Sequence, residues 1–462
     1  MSMAAASISS GLAGVVGPAN VVADPGQLIA YRISGCVPKA AVRPGSNQEV
    51  AEIVRLAAAD KLALVPVGAC TKLGMDIAVR QYDVALDMTR LDHVVAYDPD
   101  DLTLSVEPGI SLRQLASVLS EHGQFLPLAV PFRGRATVGG TIASGIDSPL
   151  RQFYGTARDY LLGMEFVTGD GRIVKSGGRV VKNVSGYDLH KLMIGSFGSL
   201  GAITKVNFRT FPMLREIRAL VAFFDSAQSA SEMRQHVARS PLRPVTIEIL
   251  SPSAAVLLSS DAAERIAPGQ LRAYALANGR WTFLASYAGN EDVLKRYERE
   301  LRKIAGEVDS VSLGKGAAAV ALGRVSEFVP IVLESSSAAV IIKASVLPAR
   351  MGELLHEAES IAAKCEVRSA AIARGVGAVY VALLRESRDE ENRSRVARAV
   401  EQLREACVHL SGNFSVAWCP VEWRNSLQGQ QANHIELDLM RELKQTFDPA
   451  GVFGSDPLAR WT

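Results

Sequence analysis

Glycine is crowded into the stretch from Arg135 to Pro212, and its uneven placement constrains the fold more than any other feature of this chain. The stretch reads ATVGGTIASG, then SPLRQFYGTARDYLLGMEFVTGDGRIVKSGGRVVKNVSGYDLHKLMIGSFGSLGAIT, then VNFRTFP. Short apolar runs of strand length separate the glycines. Met164–Val167 and Arg172–Lys175 read as a hairpin around Gly169-Asp170-Gly171. Thr204, Val206 and Phe208 alternate along a last strand before Pro212. Gly139 and Gly140 lack a Cβ, so backbone there can approach a ligand closely. Such a loop can point several N–H groups at a diphosphate.

Upstream, a folded unit begins near Ile33. Ser46 and Glu49 form a capping box, and Val50, Ile53, Val54 and Ala57 line one helical face. A short strand, Leu62 to Val65, runs into Pro66-Val67-Gly68-Ala69-Cys70-Thr71-Lys72, where a phosphate nest is expected. Thr71 can donate a hydroxyl hydrogen bond there, and Lys72 offsets phosphate charge if it faces inward. Taken alone, an ordinary glycine-containing turn is the plainer reading. Further strands are expected at Asp83–Asp87, His93–Tyr97 and Leu102–Val106. Ser111 and Gln114 box a second helix, with Leu112, Leu115 and Leu119 inward. Ser185 and Asp188 read as a helix start, followed by Leu189, Leu192 and Met193 on the buried side.

After Pro212 the glycine loops stop. Strands at Ala219–Phe224, Val245–Leu250, Trp281–Tyr287, Ala338–Ser345 and Ala378–Leu383 alternate with helices near Ala227–Ser240, Glu291–Ile304, Met351–Lys364 and Glu390–Leu410. The pattern suggests an antiparallel sheet covered by helices. From about Asn413 the tail reads as returning to the first unit.

The chain has 462 residues, enough for two or three domains. Its formal net charge of +2 suggests neither nucleic acid nor an anionic membrane surface as a partner. Five scattered cysteines, with no CxxC pair, argue against a disulfide framework, an iron–sulfur cluster or a cysteine zinc site in this chain. The natural setting is then a reducing cytoplasm. Residues 1–23 carry no charged side chain and lack the basic start of a signal peptide, so they read as a frayed or partly helical N-terminus. No run approaches a membrane span of about 20 apolar residues, and membrane association is expected only through a partner. A Rossmann site needs GxGxxG between strand and helix; Gly195-Gly198-Gly201 has the wrong spacing and Gly375-Val-Gly377 lacks the third glycine, which disfavours NAD.

The two glycine loops, in this order and spacing, together with the block that follows them, resemble the FAD domain of the vanillyl-alcohol oxidase / p-cresol methylhydroxylase superfamily. Within it the nearest look is the FAD-binding subunit of glycolate oxidases. The resemblance runs from about Gly35 to Pro212 and reappears at Cys419-Pro-Val-Glu422-Trp423-Arg424 and LMRELKQTFDPAGVF. It implies a fold in which two loops clasp the diphosphate of FAD between two subdomains. Carried over by position, Pro66, Gly68, Ala69, Cys70, Thr71 and Lys72 contact the phosphates from one side. Thr137, Val138, Gly139, Gly140, Thr141 and Ser144 do so from the other, and Ile203 touches the ring system or adenosine through its backbone.

Four departures from the family pattern matter. Cys70 stands where glycine is usual, and cysteine tolerates positive φ poorly, so a differently shaped first loop is expected. That loop has no histidine, which implies FAD held without a covalent link. Catalytic 2-hydroxy-acid dehydrogenase subunits read GSEGTLG where this chain has Gly195-Ser-Phe197-Gly-Ser-Leu-Gly201, and their HxGDGNxH metal motif is missing among its seven histidines. A divalent metal at that motif can lower a hydroxyl pKa. No metal site is therefore expected here. Finally, Gly454-Ser455-Asp456-Pro457 replaces the usual NPG.

Candidate chemical groups are few. Arg151 suits bidentate capture of a substrate carboxylate and equally suits pairing with a structural acid such as Asp147. Arg158 fits the structural role better. By the resemblance, Tyr154 lies near the flavin or the domain seam. Lys182 is placed to approach the flavin N1–C2 region, where a cation stabilises the reduced ring. Glu422 and Arg424 either face the flavin from the cap side or form a salt bridge.

The sequence reading is thus an α+β protein: an N-terminal extension (1–32), a PCMH-type FAD-binding domain of two α+β subdomains (33–212), a cap domain with antiparallel sheet and covering helices (213–412), and a C-terminal segment returning to the flavin domain (413–462). The resemblance implies an FAD-dependent oxidoreductase subunit taking part in 2-hydroxy-acid oxidation. Its implied partners are a second flavin subunit with a metal site and an iron–sulfur subunit that receives electrons. Two alternatives stand beside it: a stand-alone flavin oxidase or dehydrogenase of an alcohol, lactone or sugar acid, and a structural subunit with a degenerate FAD site.

Overall fold

The computed structural model describes residues 3–75, 78–79, 81–180, 186–269, 271, 276–427 and 434–456. Three sheets carry most of the strands. The first has four strands in the order Val21–Val22, Ala40–Val42, Val84–Asp87, Leu64–Val67. Its last three strands run parallel, which requires crossovers. The helix Asn47–Ala59 supplies one of them. Half of the expected capping box forms: Ser46 Oγ accepts the Glu49 N–H at 3.1 Å, but the Glu49 carboxylate accepts the Gly45 N–H, at 2.7 Å, rather than that of the N-cap Ser46. Val50, Ile53, Val54 and Ala57 are buried along its inner face.

The N-terminal stretch is more ordered than the sequence suggests. It forms a helix, Met3–Val16, with Leu12 fully buried against the first sheet's core.

The second sheet is antiparallel, in the order Ile173–Gly177, Leu161–Val167, Ala202–Arg209, Thr103–Val106, Val94–Asp98. The Ser111–Gln114 capping box is present, and Leu112, Leu115 and Leu119 are buried. Ser185 lies outside the described residues, and the helix expected to follow it is only a 3₁₀ turn, Leu189–Leu192. Gly186 and Gly195, both at φ +78°, bracket the segment and leave no room for further turns.

The third sheet has eight antiparallel strands: Ser310–Leu313, Ile217–Phe224, Trp281–Ala288, Thr246–Leu250, Arg368–Arg374, Ala378–Leu384, Val340–Ser345, Asn413–Trp418. The return of the tail therefore begins after Trp418, later than the sequence reading placed it. Asn413–Trp418 alternates in burial and pairs with Val340–Ser345 as the sheet's edge.

One face of this sheet is sealed by Ala227–Arg239, Glu291–Ala305, Met351–Lys364 and Glu390–His409 over a continuous apolar core. The other face is covered partly by Lys315–Ser326 and Phe328–Ser335, and partly by the first half of the chain through Met75, Phe132 and Ile146. Those two bent helices together are apolar enough for a membrane test by composition, yet Phe328, Val329 and Ile331 are buried in this core. Among the described residues no single helix is long and apolar enough to cross a membrane.

Beyond Trp418 the chain runs back to the first sheet. Leu64 N–H donates to Val452 C=O at 2.7 Å and Gly454 N–H to Leu64 C=O at 2.8 Å. The buried Asp448 carboxylate accepts the Val452 and Phe453 N–H groups at 2.8 Å each. Ser455–Asp456 then pairs with Ala78–Val79.

Candidate active site

The first glycine loop leaves the strand Leu64–Val67 at Gly68. Cys70 sits at φ +56°, so it adopts the left-handed conformation in which the family places glycine. Sγ of Cys70 donates to the Gly68 carbonyl at 3.5 Å, and burial pushes the thiol pKa up to about 12, with Asp87 adding to the effect. No backbone N–H from Ala69 to Lys72 has a partner among the described residues. Consecutive free donors around a left-handed residue form an anion nest.

Lys72 is 8 % exposed. Its amine is pushed down to about 8 by burial, with the Glu327 charge working the other way. That carboxylate is itself engaged, accepting N–H groups from Phe132 at 2.6 Å and Arg133 at 3.0 Å. Among the described residues Lys72 has no ion pair, and its nearest hydrogen-bond partner is Thr71 Oγ1 at 3.5 Å.

The second glycine segment is built differently. It forms a helix, Val138–Ser144, capped by Thr137. The Val138 N–H donates to Ile110 C=O at 3.0 Å, Gly139 N–H to Pro108 C=O at 2.8 Å, and Gly140 N–H to Thr137 Oγ1 at 3.3 Å. The sequence reading aimed these donors at a diphosphate; the cap and the Pro108–Ile110 segment use them instead. The glycines serve close packing. A Cβ on Gly139 would lie 2.6 Å from Pro108 Cβ, and one on Gly68 would lie 2.2 Å from Thr137 Oγ1, where the two loops touch.

Between the loops runs a narrow crevice. One part, about 70 Å³, is lined by Pro66, Gly68 through Lys72, Thr137, Gly140 and Ser144. Another, about 40 Å³, adds Gly139 and Ile203. Val138 and Thr141 line neither part; Val138 is fully buried in the core beneath. At Phe197 and Ser455 the crevice meets a cavity of about 550 Å³, whose walls include Ile194, Leu200, Lys343, Ser415 and Lys444. Phe197 is itself at φ +53°. Two non-glycine residues in left-handed backbone, at the two ends of one crevice, are the kind of strain that clusters at ligand sites.

A second group of polar residues lies on the sheet face turned toward this half of the chain. Alternation along the strands puts Ile247, Ile249, Ala373 and Val379 on the sealed face. Glu248, Arg374 and Tyr380 therefore point to the other side, where the segment 146–152 covers them. Glu248 is fully buried, Arg374 is 3 % exposed and Asp147 is 5 % exposed. Arg374 Nη1 is 3.7 Å from Glu248 Oε1, Arg374 Nε is 3.6 Å from Asp147 Oδ2, and Arg151 Nη1 is 3.1 Å from the same oxygen. The Arg374 guanidinium lies 5.4 Å from the Tyr380 ring centroid. Burial pushes Glu248 up to about 8, against the pull of Arg374 and with the push of Asp147. Burial also lowers the Lys343 amine.

Of the candidate residues, Arg151 joins this cluster. Tyr154 packs among Phe125, Phe153 and Phe211, with ring centroids 5.4, 4.9 and 4.9 Å away. Glu422 is exposed and pairs with Arg388 at 3.4 Å. Arg424 binds Ser34 Oγ and the Met75 carbonyl, tying the tail to the end of the first loop. Lys182 lies outside the described residues. Sequence reasoning passed over Glu248, Arg374 and Lys343, although Glu248 and Lys343 are lone charges inside apolar strands (TIEIL, VIIKAS) and Arg374 ends one (RSAAIAR), and charged residues in such strands are rarely buried without a role. Among the described residues no group of three His, Cys, Asp or Glu side chains could hold a metal ion.

Residues 38–177 match the family model for an FAD binding domain, and residues 213–456 match that for the C-terminal domain of FAD linked oxidases. The chain belongs to the FAD-linked oxidases. This FAD-linked oxidase is 23 % identical to glycolate oxidase subunit GlcD of Bacillus subtilis, over 90 % of its own length and 88 % of the relative's. It is 35 % identical to glycolate oxidase subunit GlcE of Escherichia coli over 44 % of its own length and 56 % of the relative's. Its fold matches p-cresol methylhydroxylase with a TM-score of 0.74 at 17 % identity, covering 98 % of this chain and 96 % of that one. The 4-ethylphenol oxidase of Gulosibacter chungangensis also gives 0.74, at 15 % identity, covering 98 % and 97 %. The protein is an FAD-dependent oxidoreductase with the α+β, PCMH-type fold.

Proposed function

We propose that this oxidase takes part in the oxidation of a small 2-hydroxy acid within a multi-subunit complex. The observation that carries the reading is a surplus of buried positive charge. Buried Arg374 and part-buried Arg151 both face the Asp147 carboxylate, while burial, pushing Glu248 up to about 8, weakens the other negative charge beside Arg374. An uncompensated cationic chamber is costly unless an anion enters it. A substrate carboxylate accepted by the Arg374 and Arg151 guanidinium groups supplies that anion. Relatives described as glycolate oxidase subunits and D-lactate dehydrogenases fit the same substrate class.

In this reading the FAD diphosphate is held by the free N–H groups of Ala69 to Lys72 and by the Lys72 amine. The helix Val138–Ser144 presses the first loop into shape through Thr137. The ring occupies the larger cavity beyond Phe197. FAD, bound without a covalent link, supplies a two-electron acceptor for substrate hydride. Electrons leave for an iron–sulfur partner, in a cytoplasmic complex that reaches a membrane only through its other subunits. The glycine-like conformation of Cys70 removes the motive for a degenerate FAD site.

The test uses the FAD-loaded chain under anaerobic conditions. Glycolate and D-lactate are added in turn, alone and with co-purified subunits, and the visible flavin spectrum is followed. Bleaching by at least one of them is expected. A flavin that no 2-hydroxy acid reduces, with or without partners, overturns the reading. Acid precipitation of the same sample should leave the yellow colour in the supernatant.

A further inference from the structure

We propose that Glu248 is the catalytic base of this site, the group that takes the hydroxyl proton of the bound acid. The proposal rests on the functional reading above and goes beyond it, because neither the sequence pattern nor the glycine loops pointed to this residue.

Geometry singles Glu248 out. It stands mid-strand in Thr246–Leu250, on the face turned toward the flavin half, with no exposed surface. Neither carboxyl oxygen has a hydrogen-bond donor among the described residues. Its surroundings are also polar: Thr246 Oγ1 on its own strand and Ser286 Oγ on the neighbouring one, which face each other in register, have no hydrogen-bond partner among the described residues, and Arg374 Nε and Nη1 reach Asp147 and Glu248 only at ion-pair distance. Gln152 Oε1 adds a further unpartnered acceptor from the covering segment. Buried polar atoms are normally satisfied, so this many orphans in one place mark a closed polar cluster that a polar guest must open to enter. A purely structural carboxylate of this burial would be expected to accept backbone or hydroxyl donors, as Asp448 and Glu327 do in the same chain.

The chemistry is balanced. With the substrate carboxylate on Arg374, 3.7 Å from Glu248, the alcohol would come within reach of the same group of residues. Its O–H bond breaks and the proton goes to a Glu248 oxygen. Its C–H bond breaks with the electron pair, which leaves as hydride for the oxidised flavin, and a C=O bond forms. The substrate loses two electrons and the flavin gains two. Arg374 is 3.7 Å from Glu248, close enough to register both the acid's carboxylate and the change in charge on the base.

The charged and titratable neighbours are Arg374 from its own sheet neighbour, Asp147 and Arg151 from the covering segment, and Tyr380 and Lys343 from strands farther along. Only the ionised carboxylate can accept a proton. Since burial lifts Glu248 to about 8, the rate of flavin reduction should be low at neutral pH and rise to a plateau above that value.

The experiment compares the FAD-loaded wild type with Glu248→Gln, an isosteric change. Flavin content and circular dichroism report folding. Oxalate, a dianion that cannot be oxidised, reports binding through its perturbation of the flavin spectrum. Anaerobic reduction by the best 2-hydroxy acid is measured from pH 6 to 10. We expect oxalate affinity within about threefold of wild type, reduction slowed at least 100-fold, as removal of a base commonly does, and loss of the rise near pH 8. Infrared spectra should show a protonated carboxyl band at neutral pH that disappears in the variant. Equal reduction rates, an unchanged pH profile or an unchanged carboxyl band would overturn the assignment while leaving the functional reading intact. If no 2-hydroxy acid reduces the wild type, the functional reading falls and takes the assignment with it. Should the glutamine variant fail to fold, Glu248→Asp serves in its place: a shortened base should keep a pH rise but slow reduction, and full speed would refute it.

Discussion

The two glycine segments look alike in sequence and differ in physics. PVGACTKLG leaves four successive N–H groups without partners among the described residues, around a left-handed Cys70. ATVGGTIASG uses its first three helical N–H groups on Ile110, Pro108 and Thr137. One loop is a donor array and the other is a wedge that holds it. Glycine supplies reach in the first case and closeness in the second. A pattern of glycines therefore marks a crowded place without saying which side faces the ligand.

The sharpest test of this division is the contact between the loops. Gly68→Val would thrust a side chain into Thr137, whose Oγ1 lies 2.2 Å from the site of the new Cβ. FAD affinity should fall at least 100-fold, about 3 kcal/mol, as read by flavin content and by titration of the apoprotein. Normal flavin content would move the cofactor away from this seam.

Lys72→Met probes the donor array by charge. The wild-type amine titrates at about 8 before ligand binds, and an anionic diphosphate favours its protonated form. Wild-type FAD affinity should therefore be highest below pH 8 and decline above it. The methionine variant should bind about tenfold more weakly at neutral pH and show a flat profile from pH 7 to 9. A persistent decline in the variant would assign the titration elsewhere.

Thr137→Ala removes the cap of the wedge. Loss of such a cap costs about 1 kcal/mol, visible as a lower denaturation midpoint, with flavin affinity changed by only a few-fold. Strong loss of FAD without loss of stability would turn the wedge into a direct ligand site. The smallest effect is expected from Cys70→Gly. A left-handed cysteine is strained by roughly 1 kcal/mol, and glycine relieves this at some entropic cost. Stability should rise slightly or stay level while flavin content is unchanged.

Much of the fold was legible before any coordinates. The N-cap at Ser46, the capping box at Ser111 and the buried faces behind them follow from local hydrogen bonding and helical periodicity. The hairpin around Gly169 follows from turn chemistry. The candidate crevice was legible too, because residues adjacent in sequence build it. The chamber was not. Glu248, Arg374, Lys343 and Asp147 are scattered over nearly half the chain, and the pairing of Thr246–Leu250 with Arg368–Arg374 brings two of them together. A lone charge in an apolar strand was the available signal. Attention went instead to Glu422 and Tyr154, which lie next to recognisable motifs but settle in a surface ion pair and an aromatic cluster.

The docking of residues 448–456 against Leu64 has a consequence for how the protein is made. Val452, Phe453 and Gly454 complete the edge of the sheet from which the first loop springs, and Ser455 stands at the mouth of the crevice. A nascent chain can build the eight-stranded sheet and the donor loop in turn, but the loop's support arrives only after the ribosome has passed residue 456. Cofactor loading thus belongs to the period after this segment has emerged, and a chain that stalls short of that point is left with a half-walled site.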